Sequence, residues 1–248
     1  MFYVDEDKPH EECGIFGIYG EPADWQMTDC VYHGLYALQH RGQESCGIAV
    51  NNDGLIAVHK DIGLVNEVFT RKALNDLGTG QIAIGHVRYG TTGPNIRINV
   101  QPLTVDHIKG CMALAHNGNL TNHTTLRNEL ELSGSIFHTT SDTEVIAYII
   151  TKARLSMPSI EEAISATMDR IQGAYSLVIM SPRKLIAVRD PLGFRPLCIG
   201  TLGDSYIFAS ESCALDGIGA RFIRDVEPGE IVVVDHEGLR SIRTHCSE

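Results

Sequence analysis

The most reactive candidate in the chain is Cys13, in the run Glu12-Cys-Gly-Ile-Phe-Gly-Ile18. Its setting admits two readings. A cysteine beside glycine at the head of an apolar strand is ordinarily a small core residue. Ahead of it, however, stands the charged segment MFYVDEDKPHEE, which carries no helix or strand signal. Cutting that leader away would leave Cys13 with a free α-amine. An amine of pKa about 8 can act as base for a thiol of pKa about 8.5, and a nucleophile carrying its own base needs no histidine partner.

Three further segments hold groups that suit the same chemistry. Arg88, in His86-Val-Arg-Tyr-Gly-Thr91-Thr92-Gly93, ends an apolar strand and can clamp a carboxylate through paired N–H donors. Taken alone, a surface ion pair is the simpler explanation. Asn117-Gly118, in Ala115-His-Asn-Gly-Asn-Leu120, is first of all a turn signal. The same pair can form an oxyanion hole from a side-chain amide and a backbone N–H, each donor worth roughly 10²–10³ in rate. Asp142, in Ser141-Asp-Thr-Glu144, fits a capping box and a helix dipole, and it could instead hold a substrate ammonium. Eleven histidines are present without an HExxH, CxxC or tight His/Cys group, so no metal site is expected within the chain. Walker A, GxGxxG and GxSxG patterns are also missing.

These groups need strands and helices to hold them. A helix over about Trp25–Gln39 would turn Cys30, Val31, Leu35 and Leu38 to one face. Strands are expected near 46–51, 55–60, 81–87 and 111–115. Helices follow from Ser141 and from Ser159, the second reaching about Ile171. The last third reads as strands near 174–180, 184–189, 197–201, 206–210, 231–235 and 239–243. Strands, two helices and strands again do not alternate as a doubly wound protein would, and the order suits an α+β layered sandwich of two antiparallel sheets.

Composition narrows the function class. A net charge of −11 argues against a nucleic-acid or anionic-membrane surface, and no apolar run is long enough to span a bilayer. Seven scattered cysteines without a secretory signal read as reduced thiols of a cytoplasmic protein.

Taken in order, the segments ECGIFGI, LQHRGQESCGIAV, GHVRYGTTG, NVQPL, LAHNGNLTN, TSDTEVIA, GAYSLVIM, RDPLGFRPL, ASESCALD and DVEPGE resemble the N-terminal glutaminase domain of the amidophosphoribosyltransferase family. The resemblance runs from Glu12 to the end of the chain. It implies a class II glutamine amidotransferase with an N-terminal-nucleophile αββα sandwich. Residues 1–12 would be a propeptide, 13–240 the glutaminase domain, and 241–248 the start of a linker to a phosphoribosyltransferase domain. Cys13 would be the nucleophile, and Asn117 with Gly118 the oxyanion hole. Arg88 would hold the glutamine α-carboxylate and Asp142 its α-amino group. Thr91 and Thr92, with His40-Arg-Gly-Gln43, would lie around the pocket.

The reaction so implied gives glutamate and ammonia through a Cys13 thioester, the ammonia serving phosphoribosylamine synthesis in purine biosynthesis. LQHRGQES and RDPLGFRPL are closer to this purine enzyme than to the sugar-phosphate synthases of the same class. No cofactor is implied for glutamine hydrolysis. Mg and a [4Fe–4S] cluster belong to a full-length enzyme, and Cys246 would supply at most one of about four thiolate ligands. Glutamine and a phosphoribosyltransferase domain or subunit are the implied partners, together with a homo-oligomer. A second reading is a non-catalytic or regulatory subunit that binds a partner synthase.

Overall fold

Alternation of apolar residues along the strands determines which face each presents to the core. The computed structural model describes residues 13–21, 25–89 and 96–247. Its strands are β1 (Gly14–Tyr19), β2 (Ser45–Asn52), β3 (Leu55–Ile62), β4 (Ile82–Arg88), β5 (Leu103–His107), β6 (Gly110–Leu120) and β7 (Gly173–Met180). They continue with β8 (Leu185–Arg189), β9 (Cys198–Leu202), β10 (Ser205–Ala209), β11 (Arg221–Asp225), β12 (Ile231–Asp235) and β13 (Gly238–Ile242). One sheet has the order β11-β9-β10-β1-β4-β2-β3 and the other β13-β12-β8-β7-β6-β5. Every strand pairing is antiparallel.

Three apolar clusters turn the sheets into four layers. Ile15, Ala49, Ile84, Ala113, Ala115 and Val178 lie between the sheets. At Gly17 a Cβ would stand 2.5 Å from Val178 Cγ1, so glycine sets how closely the sheets approach. Phe16, Ile18 and Val87 pack outward on α1 (Met27–Ala37), through Val31, Leu35 and the following Leu38. The short helices α2 (Val65–Val68) and α3 (Arg71–Asp76) join this layer. On the far side, Leu114, Leu177 and Val233 pack on α4 (His123–Leu132), α5 (Asp142–Arg154) and α6 (Ile160–Met168). The last helix, α7 (Cys213–Asp216), covers the first sheet through Ala214 and Leu215. The expected αββα sandwich is the observed architecture.

Three local expectations change. The strand ending in Ala115 continues through Asn117-Gly118 to Leu120, paired throughout with β7, so the Asn-Gly step is not a turn. At Ser141 the hydroxyl accepts from Thr143 N–H at 3.2 Å, but the Glu144 carboxylate does not complete a capping box. It turns back to Thr139, accepting from its N–H at 2.7 Å and its hydroxyl at 2.8 Å. The expected boundary at residue 240 falls inside β13, whose Ser241 and Ile242 pair with Val232 and Ile231. All seven cysteines are unpaired thiols. Among the described residues no helix is long and apolar enough to cross a membrane.

Candidate active site

Cys13 sits where β1 begins, at the middle of the first sheet. Gly14 pairs with Val87, so the same register carried one step back sets Cys13 opposite Arg88. Cys13 shares its strand face with Ile15, and Arg88 shares one with Ile82 and Ile84, all facing the second sheet. Both Cys13 and Arg88 are buried. The Cys13 thiol donates to the Tyr89 carbonyl at 3.5 Å. Burial pushes this thiol up from its ordinary pKa; the Tyr89 contact and the Arg88 charge pull it down, and the Asp142 charge raises it. Both charges therefore act on the sulfur.

Across the gap, β6 supplies the other groups. Asn117 follows Ala113 and Ala115 on the face toward the first sheet. Its side chain is 1% exposed, and its Nδ2 has no hydrogen-bond partner among the described residues. A buried unpaired amide costs about 1–3 kcal/mol, which an incoming acceptor would relieve. Gly118 has φ +141°, and a Cβ there would stand 2.0 Å from the Ala174 carbonyl oxygen. Only glycine fits. The N–H groups of His116 and Leu120 leave the same edge of β6, donating to Gln101 Oε1 at 2.7 Å and Asp142 Oδ2 at 3.0 Å. By strand alternation the Gly118 N–H projects from that edge too, past the end of β5.

Asp142 is the first residue of α5 and is buried against β6. Its Oδ1 lies 3.6 Å from His116 Nδ1. Burial acts to raise the carboxyl, but attraction from His116 and the Leu120 N–H outweighs it and holds Asp142 below the ordinary carboxylate range. The group is an anion held ready inside the fold. Beneath it, His86 Nε2 donates to the His116 carbonyl at 3.1 Å. Burial, chiefly, lowers His86 to about 3, so its unpartnered Nδ1 carries no proton at neutral pH. An arginine, a carboxylate, a thiol and a spare amide donor thus share one end of the sandwich.

The segment His40–Gln43, expected around the pocket, reaches the Cys13 backbone through Arg41. Arg41 Nε donates to the Cys13 carbonyl at 3.1 Å, and its Nη1 pairs with Glu211 Oε1. Ser210 Oγ accepts from the Ile15 N–H at 3.0 Å. Glu211 and Ser210 come from the ASES segment, whose value is visible only once β10 lies beside β1. Thr91 and Thr92 lie outside the described residues, as does the expected propeptide. Among the described residues, His40, Glu211 and Cys213 bring atoms that could ligate a metal within 4.8 Å of one another; Cys246 is not in this group. Residues distant in sequence met through folding.

Residues 93–217 match a glutamine amidotransferase domain profile. The chain belongs to the glutamine amidotransferase domain family. It is 50% identical over 235 residues to the chloroplastic amidophosphoribosyltransferase 3 of Arabidopsis thaliana, covering 94% of this chain and 43% of that protein. The glutamine phosphoribosylpyrophosphate amidotransferase of B. subtilis, solved with ADP and GMP, superposes with a TM-score of 0.85 at 44% identity. That match covers 93% of this chain and 49% of the other. A structure described as the allosteric regulatory enzyme of purine biosynthesis gives 0.87 at 45% identity, covering 93% and 49%. The chain thus spans about half the length of the relatives it matches, and that half contains the family's glutamine amidotransferase domain.

Proposed function

We propose that this chain hydrolyses the side-chain amide of glutamine at Cys13, delivering ammonia to a phosphoribosyltransferase domain or subunit for phosphoribosylamine synthesis in purine biosynthesis. One observation carries the reading: the unpartnered Asn117 amide stands on the face opposite the Cys13 thiol, with two opposite charges, Arg88 and Asp142, acting on that thiol. An α-amino acid carries the complementary pair of charges.

Removal of residues 1–12 frees the Cys13 amine, which takes the thiol proton as sulfur attacks the glutamine Cδ. The carbonyl oxygen gains charge and accepts from Asn117 Nδ2 and the Gly118 N–H. The amine passes its proton to the departing nitrogen, ammonia leaves, and the γ-glutamyl thioester forms. Water, deprotonated by the same amine, then releases glutamate and restores the thiol. Arg88 receives the α-carboxylate and Asp142 the α-ammonium. Arg41 fixes the Cys13 carbonyl and so positions the nucleophile. No cofactor takes part in these steps, and the site of action is the cytoplasm.

The test uses protein whose intact mass shows Cys13 as the first residue. Equal yields of glutamate and ammonia from glutamine, lost in Cys13→Ala, are expected. No turnover by the processed protein, with or without a phosphoribosyltransferase partner, would reject the reading.

A further inference from the structure

The trio of His40, Glu211 and Cys213 lies outside the proposed glutamine-binding and oxyanion groups. His40 Nδ1 stands 3.1 Å from the Ala37 carbonyl oxygen. A carbonyl only accepts, so Nδ1 carries the hydrogen and, in the neutral ring, Nε2 presents its lone pair. That lone pair faces Glu211 Oε2, also an acceptor, at 3.1 Å. Cys213 Sγ lies 3.6 Å from the same oxygen. The Cys213 thiol can donate to that oxygen, but between Nε2 and Oε2 two acceptors meet, a contact that a cation would relieve.

We propose that His40 Nε2, Glu211 Oε2 and Cys213 Sγ form a binding site for a soft divalent cation of the zinc type. Tetrahedral zinc bonds of about 2.0–2.1 Å to nitrogen or oxygen and about 2.3 Å to sulfur imply N···O and O···S edges of about 3.3 and 3.6 Å. The observed 3.1 and 3.6 Å lie close to those edges, and all three ligating atoms lie within 4.8 Å of one another. Anchoring Nδ1–H on a backbone carbonyl is also how metal-binding histidines are commonly oriented. The donor set of nitrogen, oxygen and sulfur suits zinc and disfavours magnesium or calcium. Side chains of His40 and Glu211 are 56% and 33% exposed, which leaves a fourth position for water.

Binding exchanges the Cys213 thiol proton for the cation, releasing that proton to solvent. Burial and the Glu211 carboxylate both oppose the thiolate when no cation is present. Glu211 Oε1 remains with Arg41, whose Nε holds the Cys13 carbonyl. The carboxylate therefore bridges the cation to the strand end that bears Cys13.

Cobalt(II) reports the site directly, because thiolate ligation gives a near-ultraviolet charge-transfer band. Titration of the full chain should saturate at one equivalent, and zinc should displace the cobalt. The band should persist in Cys13→Ala and disappear in Cys213→Ala. In His40→Gln the affinity should drop at least 10-fold, the loss seen when even an outer partner of a metal ligand is removed. Far-ultraviolet circular dichroism checks that both site variants are folded. Zinc should raise the Tm of the unaltered protein and not of folded Cys213→Ala. A band that survives in Cys213→Ala, one that vanishes in Cys13→Ala, or no saturable binding at all would overturn the proposal. The last outcome would mean that a proton on Nε2, making an ordinary imidazolium–carboxylate pair, fills the gap. None of these readouts depends on glutamine turnover.

Discussion

The two ends of β1 solve different problems. At its far end, around Tyr19, lies a cavity of about 810 Å³ lined by Asn51, Asp53, Gln81, Arg183 and His236 among others. Its buried polar group is satisfied: Asn51 Nδ2 donates to the Pro182 carbonyl at 2.8 Å, and Oδ1 accepts from the Gly54 N–H at 2.7 Å. The Cys13 end holds an amide donor with no partner among the described residues and charges that act on a buried thiol. An unsatisfied buried amide that coincides with a thiol and opposed charges marks chemistry better than empty volume does.

The contrast breaks if substitutions at the two ends behave alike. The largest effect is expected for Cys13→Ala, with glutamine turnover reduced to background. Arg183→Ala, in the exposed wall of the far cavity, should change turnover by no more than about twofold, as a surface change of at most about 0.5 kcal/mol implies. Steady-state assays of both on processed protein make the comparison. Asn117→Ala should lower kcat by about 10²–10³ while leaving the glutamine KM nearly unchanged, the signature of a transition-state donor. A raised KM with unchanged kcat would make Asn117 a ground-state contact instead.

Asp142→Asn should weaken glutamine binding by about 10-fold or more, since a charge-assisted bond is worth about 1.5–3 kcal/mol. It should also lower the Cys13 pKa, while Arg88→Gln should raise it; alkylation rates followed against pH read both shifts. The signs follow from the charges now acting on the sulfur. A smaller effect concerns acid stability. Unfolded histidine takes a proton below about 6.5, whereas His86 in the fold resists until about 3. The unfolded state then holds the extra proton, so stability falls as pH drops through that window, by up to about 1.4 kcal/mol per unit. Denaturant midpoints measured across the window should show a shallower slope in His86→Gln.

The sequence made long, strongly patterned elements legible. The helices from Ser141 and Ser159 and most strands of the last third appear within a few residues of their expected bounds, because each turns a continuous apolar face to the core. Helix α4 was not legible, because only Leu126 and Leu130 are buried along it. The edge strands β5, alternating with exposed positions, and β11, exposed at most of its length, gave equally little signal. At the site, Cys13, Arg88, Asn117, Gly118 and Asp142 were all named, yet local rules favoured a core thiol, a surface ion pair, a turn and a cap. The turn reading failed because pairing with β7 imposes an extended backbone on Asn-Gly, which a glycine at φ +141° accepts. Arg41 with Glu211, and the His40–Glu211–Cys213 trio, join residues about 170 positions apart. No local pattern encodes such a meeting.

The central claim is that Cys13, once freed from the residues before it, is the nucleophile that attacks glutamine. A diazoketone analogue of glutamine tests it most directly, followed by intact-mass and peptide mapping. One equivalent of label on Cys13, found only in molecules that begin at Cys13 and suppressed by excess glutamine, is the expected result. Label on another cysteine, or none on molecules beginning at Cys13, would contradict it.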